Sequence, residues 1–259
     1  MTETKYQNFL SVALDAAKAA KGLILSYYDG SFEVEIKADQ TPVTVADRGA
    51  ERVIREKISN AFPEHGIFGE EYGSQDKDTE YLWLIDPIDG TKSFVKRYGM
   101  FSTQIALMHK GKLIVGVSCA PAMNELIWAT RDGGAFDENG QLSISDINDI
   151  EQASISTGNI QSLAASPNWT ALGQILARTN RTRGYGDYYH YHRLAAGQLD
   201  AVIESDVNIL DIAALVVIVT EAGGVFTDLD GQAPNLDTRS VLAATPPLHA
   251  ALLSELNTV

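Results

Sequence analysis

The sequence predicts a mixed α/β protein, and three observations carry that prediction. The chain opens with a long amphipathic segment, Thr4 to Tyr28, in which Phe9, Val12, Ala13, Ala16, Ala20, Leu23, Ile24 and Tyr27 recur at helical spacing before Gly30 ends it. The middle is a series of short apolar runs separated by turns, the signature of strands. Helical character then returns in Ile212 to Val219, a stretch too apolar for a surface helix. With 259 residues, 45% hydrophobic and 21% charged, the chain has ordinary globular usage and can bury a large core as one domain or two intimate halves. Periodicity sets the class and leaves the strand order open.

The elements follow in order. Phe32 to Lys37 alternates as a half-buried strand. Thr44 and Asp47 have capping-box spacing, and the helix they begin runs to about Ala61, before Pro63. Gly66 to Gly69 and Tyr81 to Ile85 are strands that each end in acids, and Lys92 to Arg97 is a short helix. Gln104 to His109 and Lys112 to Cys119 form a hairpin about Lys110-Gly111, and Glu125 to Thr130 pairs with Gly134 to Phe136. Asp137 to Gly140 and Asp228 to Gly231 look like hairpin turns. Later, Ser166-Pro167 starts a helix and another begins near Asp187. A strand covers Leu199 to Glu204, the Asp211 helix is capped by Gly223, and a final helix begins about Pro246.

Charge and composition exclude several functions. A net charge of −14 argues against binding nucleic acid or an anionic membrane, both of which need a basic footprint. No segment reaches about 18 uncharged apolar residues, and the acidic N-terminus is unlike a signal peptide, so a cytoplasmic protein is expected. Cys119 is a single cysteine in an apolar strand, where a buried thiol is expected. Asp76, Asp78 and Glu80 are assigned to solubility.

Chemistry concentrates in Asp86-Pro87-Ile88-Asp89-Gly90-Thr91. Two carboxylates held that close at a strand end call for a cation, and hard oxygen donors suit magnesium, which is usually shared with substrate phosphate. Gly90 permits close backbone approach, and Thr91 offers a hydroxyl and an N–H at a helix start, an anion-binding position. An isolated Asp-Gly would be read as a turn. That reading weakens because Gly69-Glu70-Glu71 also ends a strand in carboxylates and Asp211 stands at the mouth of an apolar helix.

These segments, with Glu221-Ala222-Gly223-Gly224 and in this order, resemble the inositol monophosphatase superfamily of magnesium-dependent phosphatases. The resemblance implies a layered αβαβα sandwich of the inositol monophosphatase and fructose bisphosphatase type. It covers 1–259 as a single catalytic domain, with an N-terminal half to about 148 and a C-terminal half from about 149. It implies two to three Mg2+ ions held by Glu70, Asp86, the Ile88 carbonyl, Asp89 and Asp211, with Asp86 bridging and Glu71 serving a weaker ion. Glu70 or Thr91 would position the water, and Asp47 would orient Thr91, although Asp47 is also readable as a simple cap. Asp89, Gly90 and Thr91 would meet the phosphate, and homodimers are usual in the family. Leu210 stands where the family usually has Trp, which bears on substrate packing rather than on metal ligands.

The substrate end is read from Arg181 to Tyr189 and from Glu204. Asp187 occupies a position that is generally small or hydroxylic in inositol phosphatases, and with Glu204 it favours a cationic phosphomonoester, since a neutral polyol would leave both acids unmatched. Tyr185-Gly186-Asp187-Tyr188 also resembles the Tyr-Gly-Asp-aromatic run of the histidinol-phosphate phosphatases within this superfamily, which implies a place in histidine biosynthesis and makes Gly186, Asp187, Tyr188 and Glu204 the candidate substrate contacts. Asp187 as a plain helix cap is the competing reading. Inositol phosphate, a sugar bisphosphate or a nucleotide 3′-phosphate are alternative substrates, and a non-catalytic metal or phosphate sensor is a third possibility. His190 and His192 lie on opposite sides of a helix and cannot readily share a metal. Tyr185, Tyr188 and Tyr189 could stack on substrate or simply pack, Phe94 is core, and Lys92 and Arg183 are readable as phosphate or acid partners, although solvated surface is the commoner fate of such side chains.

Overall fold

A computed structural model describes residues 2–30, 34–36, 42–75 and 79–257. Phe32, Glu33, Lys37, Asp76 and Asp78, which the sequence reading used, lie outside the described residues. Helix α1 (Thr2–Asp29) is followed by the antiparallel ribbon of β1 (Val34–Ile36) and β2 (Pro42–Thr44), and then by α2 (Val45–Ala61).

The next stretch builds an eight-stranded sheet from residues 66–141. Its strands are β3 (Gly66–Gly69), β4 (Gly73–Gln75), β5 (Tyr81–Asp89), β6 (Ser102–His109), β7 (Lys112–Ala120), β8 (Glu125–Thr130), β9 (Gly134–Asp137) and β10 (Gly140–Gln141), with the short helix α3 (Thr91–Val95) after β5. The spatial order is β10-β9-β8-β7-β6-β5-β3-β4. Every neighbouring pair is antiparallel except β3 and β5. Residues 154–244 contribute a five-stranded sheet. It comprises β11 (Ser154–Gly158), β12 (Arg181–Arg183), β13 (Ala201–Ser205), β14 (Val225–Thr227) and β15 (Ser240–Ala244), in the order β12-β11-β13-β15-β14. Between and after these strands come α4 (Ile160–Ala165), α5 (Trp169–Leu176), α6 (Asp187–Ala195), α7 (Ile209–Glu221) and α8 (Pro246–Leu256).

The layer order follows from the two faces of each strand. On β5 and β6, Trp83, Ile85, Ile105 and Leu107 pack with α1 and α2, whereas Leu82, Leu84, Ala106 and Met108 point the opposite way, into a core shared with α6 and α7. The small sheet divides likewise. Val202, Val241 and Ala243 face α6 and α7, while Ile203, Leu242 and Ala244 face α4, α5 and α8. Five layers therefore stack as helix, sheet, helix, sheet, helix, held by three cores, the central one lying on both sides of α6 and α7. Helix α7 can be apolar nearly all round because it lies between the two sheets, with Leu210, Leu215 and Ile218 in the central core. Gly223 follows it with φ +102°. Leu210 is thus a core residue.

Three sequence expectations need correction. The helix expected from Ser166-Pro167 begins at Trp169, and an unforeseen short helix, Ile160–Ala165, precedes it. Asp228 to Gly231 do form a turn, closed by the Gly231 N–H donating to the Asp228 carbonyl at 3.1 Å. It sits within the longer loop joining the antiparallel pair β14 and β15 and is not a tight hairpin. The strands β12, β14 and β15 carried too little alternation to be seen. Cys119 is buried, which pushes its thiol up to about 11, and Phe94 is fully buried.

Ile218 lies in the layer between the sheets with no exposed surface. Ile218→Ala should lower the unfolding free energy by about 2–5 kcal/mol, because a cavity there cannot collapse without moving a sheet. Urea titration of the two proteins checks this.

Candidate active site

Three carboxylates from two distant stretches of chain meet at one end of β5. Asp86, Asp89 and Asp211 each present an oxygen, and the three oxygens lie within 4.8 Å of one another. Asp86 and Asp89 are three residues apart on one strand and in a regular strand would face opposite ways. A bulge corrects this. Asp86 pairs with Gln104 and Asp89 with Ser102, so two residues of β5 oppose the single Thr103. Thr103 Oγ1 donates to the Pro87 carbonyl at 2.8 Å, and proline, having no N–H to pair, suits the interruption. Inside the bulge the Ile88 N–H donates to Asp86 Oδ1 at 3.0 Å.

Asp211 arrives from the N-terminus of α7. Asn208 caps that helix, its side chain accepting from the Leu210 N–H at 2.8 Å. Asp211 closes the capping box by accepting from the Asn208 N–H at 2.9 Å and from Asn208 Nδ2 at 2.7 Å. The same bonds that start the helix aim the carboxylate.

Asp47 shows the same double use at α2. Thr44 donates its N–H and hydroxyl to Asp47 Oδ2 at 2.8 and 2.5 Å. The other oxygen, Oδ1, lies 3.2 Å from Thr91 Oγ1, which is also 3.0 Å from the Ile88 carbonyl. A hydroxyl has one proton, so Thr91 donates toward one of these acceptors and keeps its lone pairs for the cavity side. Gly90, before Thr91, has φ +84°, and a Cβ there would stand 2.8 Å from the Met100 carbonyl. Only glycine makes this turn without displacing backbone.

Glu70 follows β3, with its N–H donating to the Ile85 carbonyl at 3.1 Å, beside Asp86. It stands at the exposed rim, outside the three-oxygen set, but its charge is felt at Asp86, Asp211 and Asp47. Glu71 lies one residue further out, and its N–H donates to Glu51 Oε2 at 2.6 Å. Glu51 has no exposed surface and is paired with Arg55 at 2.7 Å, so this buried ion pair carries the Glu70-Glu71 loop. Sequence reasoning passed over Glu51; its i,i+4 spacing to Arg55 was the available signal.

A buried polar chain backs Asp89. Ser102 donates to Asp89 at 3.3 Å, Gln104 Nε2 donates to Ser102 and Ser118 at 2.7 and 3.0 Å, and Ser118 lies 2.7 Å from His192 Nε2. His192 Nδ1 is 3.0 Å from Glu125, which Arg193 grips from the surface. Neither His190 nor His192 reaches the three acids.

A cavity continues from Asp89 and Asp211 to Asp187, Glu204, Asn159 and Tyr191. Asp187 does not cap its helix: Gly186 holds that position, no side-chain cap bond is made, and Asp187 itself has φ +47°. Tyr188, proposed as a substrate contact, is corrected. Its side chain is fully buried in the central core, edge-on to His192 at 4.7 Å, because the second residue of α6 faces the layer beneath. Lys92 is exposed, and Arg183 bonds the neighbouring Thr182 carbonyl.

Electrostatics set this end of the molecule apart. Burial, then the charges of Glu70, Asp89, Asp211 and Asp47, hold Asp86 well above the usual carboxylate range. Burial and the charges of Asp187, Asp211 and Glu204 do the same for Asp89. Asp211 is pushed up to about 7, chiefly by burial, and Asp187 to about 6 by burial and Glu204. Among the described residues no lysine, arginine or histidine makes an ion pair with Asp86, Asp89 or Asp211. Buried acids in this condition fit a hard divalent cation.

Comparison with known proteins agrees. Residues 5–259 match the model of the inositol monophosphatase family. The chain belongs to that family. It is 34% identical to the histidinol-phosphatase of Chlorobaculum parvum over 95% of both chains, and 37% identical to that of Mycobacterium tuberculosis over 86% of this chain and 88% of the other. It is also 32% identical to an inositol-1-monophosphatase of Mesorhizobium japonicum over 94% of both. Among solved structures, the suhB protein of Bartonella henselae superposes with a TM-score of 0.88 at 29% identity, over 96% of this chain and 98% of that one. The protein is thus a phosphatase of the inositol monophosphatase superfamily, a family generally dependent on Mg2+. No described helix is long and apolar enough to cross a membrane.

The pH dependence of cation stabilisation follows from these shifts. A carboxyl whose folded pKa is raised contributes stability below its unfolded value, and that contribution is lost as pH rises through the folded value, here about 6 to 7 for Asp187 and Asp211. Chelation should therefore lower Tm by several degrees at pH 8 and much less at pH 5, where protons already relieve the repulsion. Equal shifts at both values in differential scanning fluorimetry would contradict this.

Proposed function

We propose that the protein hydrolyses a phosphate monoester whose alcohol carries a positive charge, with histidinol phosphate the preferred substrate. One observation carries this reading: a second pair of acids, Asp187 and Glu204, lines the same cavity as Asp89 and Asp211. Two carboxylates beyond the phosphate end would be left unmatched by a neutral polyol and are complementary to an ammonium or imidazolium group. The names of the histidinol-phosphatase relatives support the same choice.

The proposed chemistry follows from where the groups stand. Asp86, Asp89, Asp211 and Glu70, with the Ile88 carbonyl, would hold two to three Mg2+ ions, and Glu71 would serve a weaker one. The ions supply positive charge for the phosphoryl oxygens and the leaving oxygen, and Lewis acidity for water. Glu70 and Thr91 orient the attacking water, Thr91 through the lone pairs left free when its proton turns to Asp47 Oδ1 or the Ile88 carbonyl. Gly90 and Thr91 begin α3, whose first N–H groups lack carbonyl partners within the helix and can meet phosphate oxygens. Asp187 and Glu204 hold the cationic end, which keeps the ester in line for displacement.

Phosphate release from a small substrate panel tests the reading. Histidinol phosphate should exceed inositol 1-phosphate in kcat/KM by at least about tenfold, a gap of about 1.4 kcal/mol. Asp187→Asn should erase most of that preference while leaving neutral esters nearly unchanged. Equal turnover of both substrates by the unmodified enzyme would defeat the assignment.

A further inference from the structure

Glu204 is held in an unusual way for an acid in a binding cavity. It is 3% exposed, and both of its donors converge on one oxygen: Tyr191 Oη donates to Oε2 at 2.6 Å, and His190 Nε2 lies 3.1 Å from the same atom. The other oxygen lies over Gly158, its register partner on β11; a Cβ at that position would fall 1.9 Å from Oε1. Any residue but glycine at 158 would displace the carboxylate. Glu204 is therefore fixed from three sides.

His190 is itself completely buried, with each ring nitrogen beside a polar partner. Ser156 Oγ accepts the Tyr185 N–H at 3.2 Å and stands 3.3 Å from His190 Nδ1. Glu204 Oε2, a carboxylate oxygen, can only accept, so His190 Nε2 presents its N–H to it while Ser156 holds the other ring nitrogen. Glu204 thus receives two hydrogen bonds on one oxygen, which fixes the direction of its carboxylate.

We propose that Ser156, His190 and Tyr191 are positioning residues for specificity. Together with Gly158 they hold Glu204 as an oriented carboxylate that reads the positive charge of the leaving group. The inference rests on the substrate reading above and assigns the residues that give it its selectivity.

Full-length enzyme saturated with Mg2+ is assayed with L-histidinol phosphate and with glycerol 1-phosphate, for the wild type and for His190→Leu, His190→Gln and Ser156→Ala. His190→Leu should raise KM for histidinol phosphate at least tenfold, leaving its kcat within about threefold and both constants for glycerol 1-phosphate within about twofold. His190→Gln, whose amide N–H can replace the lost donor, should recover most of the difference, and Ser156→Ala should shift KM in the same direction by less. Parallel losses on both substrates, or a glutamine variant no better than leucine, overturn the positioning role. If His190→Leu does not fold, the other two variants decide by the same criterion. A wild type that shows no preference for histidinol phosphate overturns the substrate reading and this inference together, whereas a clear preference followed by uniform loss overturns the inference alone.

Discussion

Mutual repulsion among buried carboxylates is the constraint around which this molecule is organised. Asp86, Asp89 and Asp211 would separate if free to do so, and the fold prevents it with features that each have another local purpose. The bulge at Pro87 and Ile88 turns two acids of one strand to the same side. The parallel pairing of β3 with β5, the only parallel neighbours among the described strands of the large sheet, brings the acidic end of one strand beside that of the other. Helix α7, wedged between two sheets, has no room to withdraw Asp211.

Capping is where stability and function share the same hydrogen bonds. Thr44 with Asp47, and Asn208 with Asp211, are reciprocal capping boxes, and each uses an aspartate at the third helical position. One oxygen of Asp47 serves the cap and the other meets Thr91. A capping aspartate ordinarily faces water; here burial raises both above the usual carboxylate range, so the helix ends store electrostatic strain that a bound cation would relieve. The Glu51–Arg55 pair performs the corresponding service for the Glu70-Glu71 loop, and the Ser102–Gln104–Ser118–His192 chain for Asp89.

Much of this was legible in the sequence because the relevant signals are local. Acids at strand ends, a threonine and aspartate at capping spacing, and an apolar helix closed by glycine can each be read within a dozen residues, and the family resemblance joined them. What escaped notice was nonlocal. Glu51 looked like one more charge on an amphipathic helix, and only the folded chain shows it beneath a loop twenty residues away. Ser156 and His190 are unremarkable until β11 and α6 are brought together around Glu204. Tyr188 was misjudged because the side of α6 that faces the core depends on how the helix lies over the sheet, which its residue pattern alone leaves open. The short strands β12, β14 and β15 owe their conformation to neighbours in the sheet more than to their own alternation.

The central claim is that these acids converge to hold divalent cations at a phosphoryl group. Anomalous scattering from crystals soaked in Mn2+ and phosphate tests it most directly. The account predicts anomalous peaks within coordination distance of Asp86, Asp89 and Asp211, with phosphate beside them toward Gly90 and Thr91. Crystals that bind the ion elsewhere, or that leave the three carboxylates turned apart with no peak between them at saturating Mn2+, would contradict it.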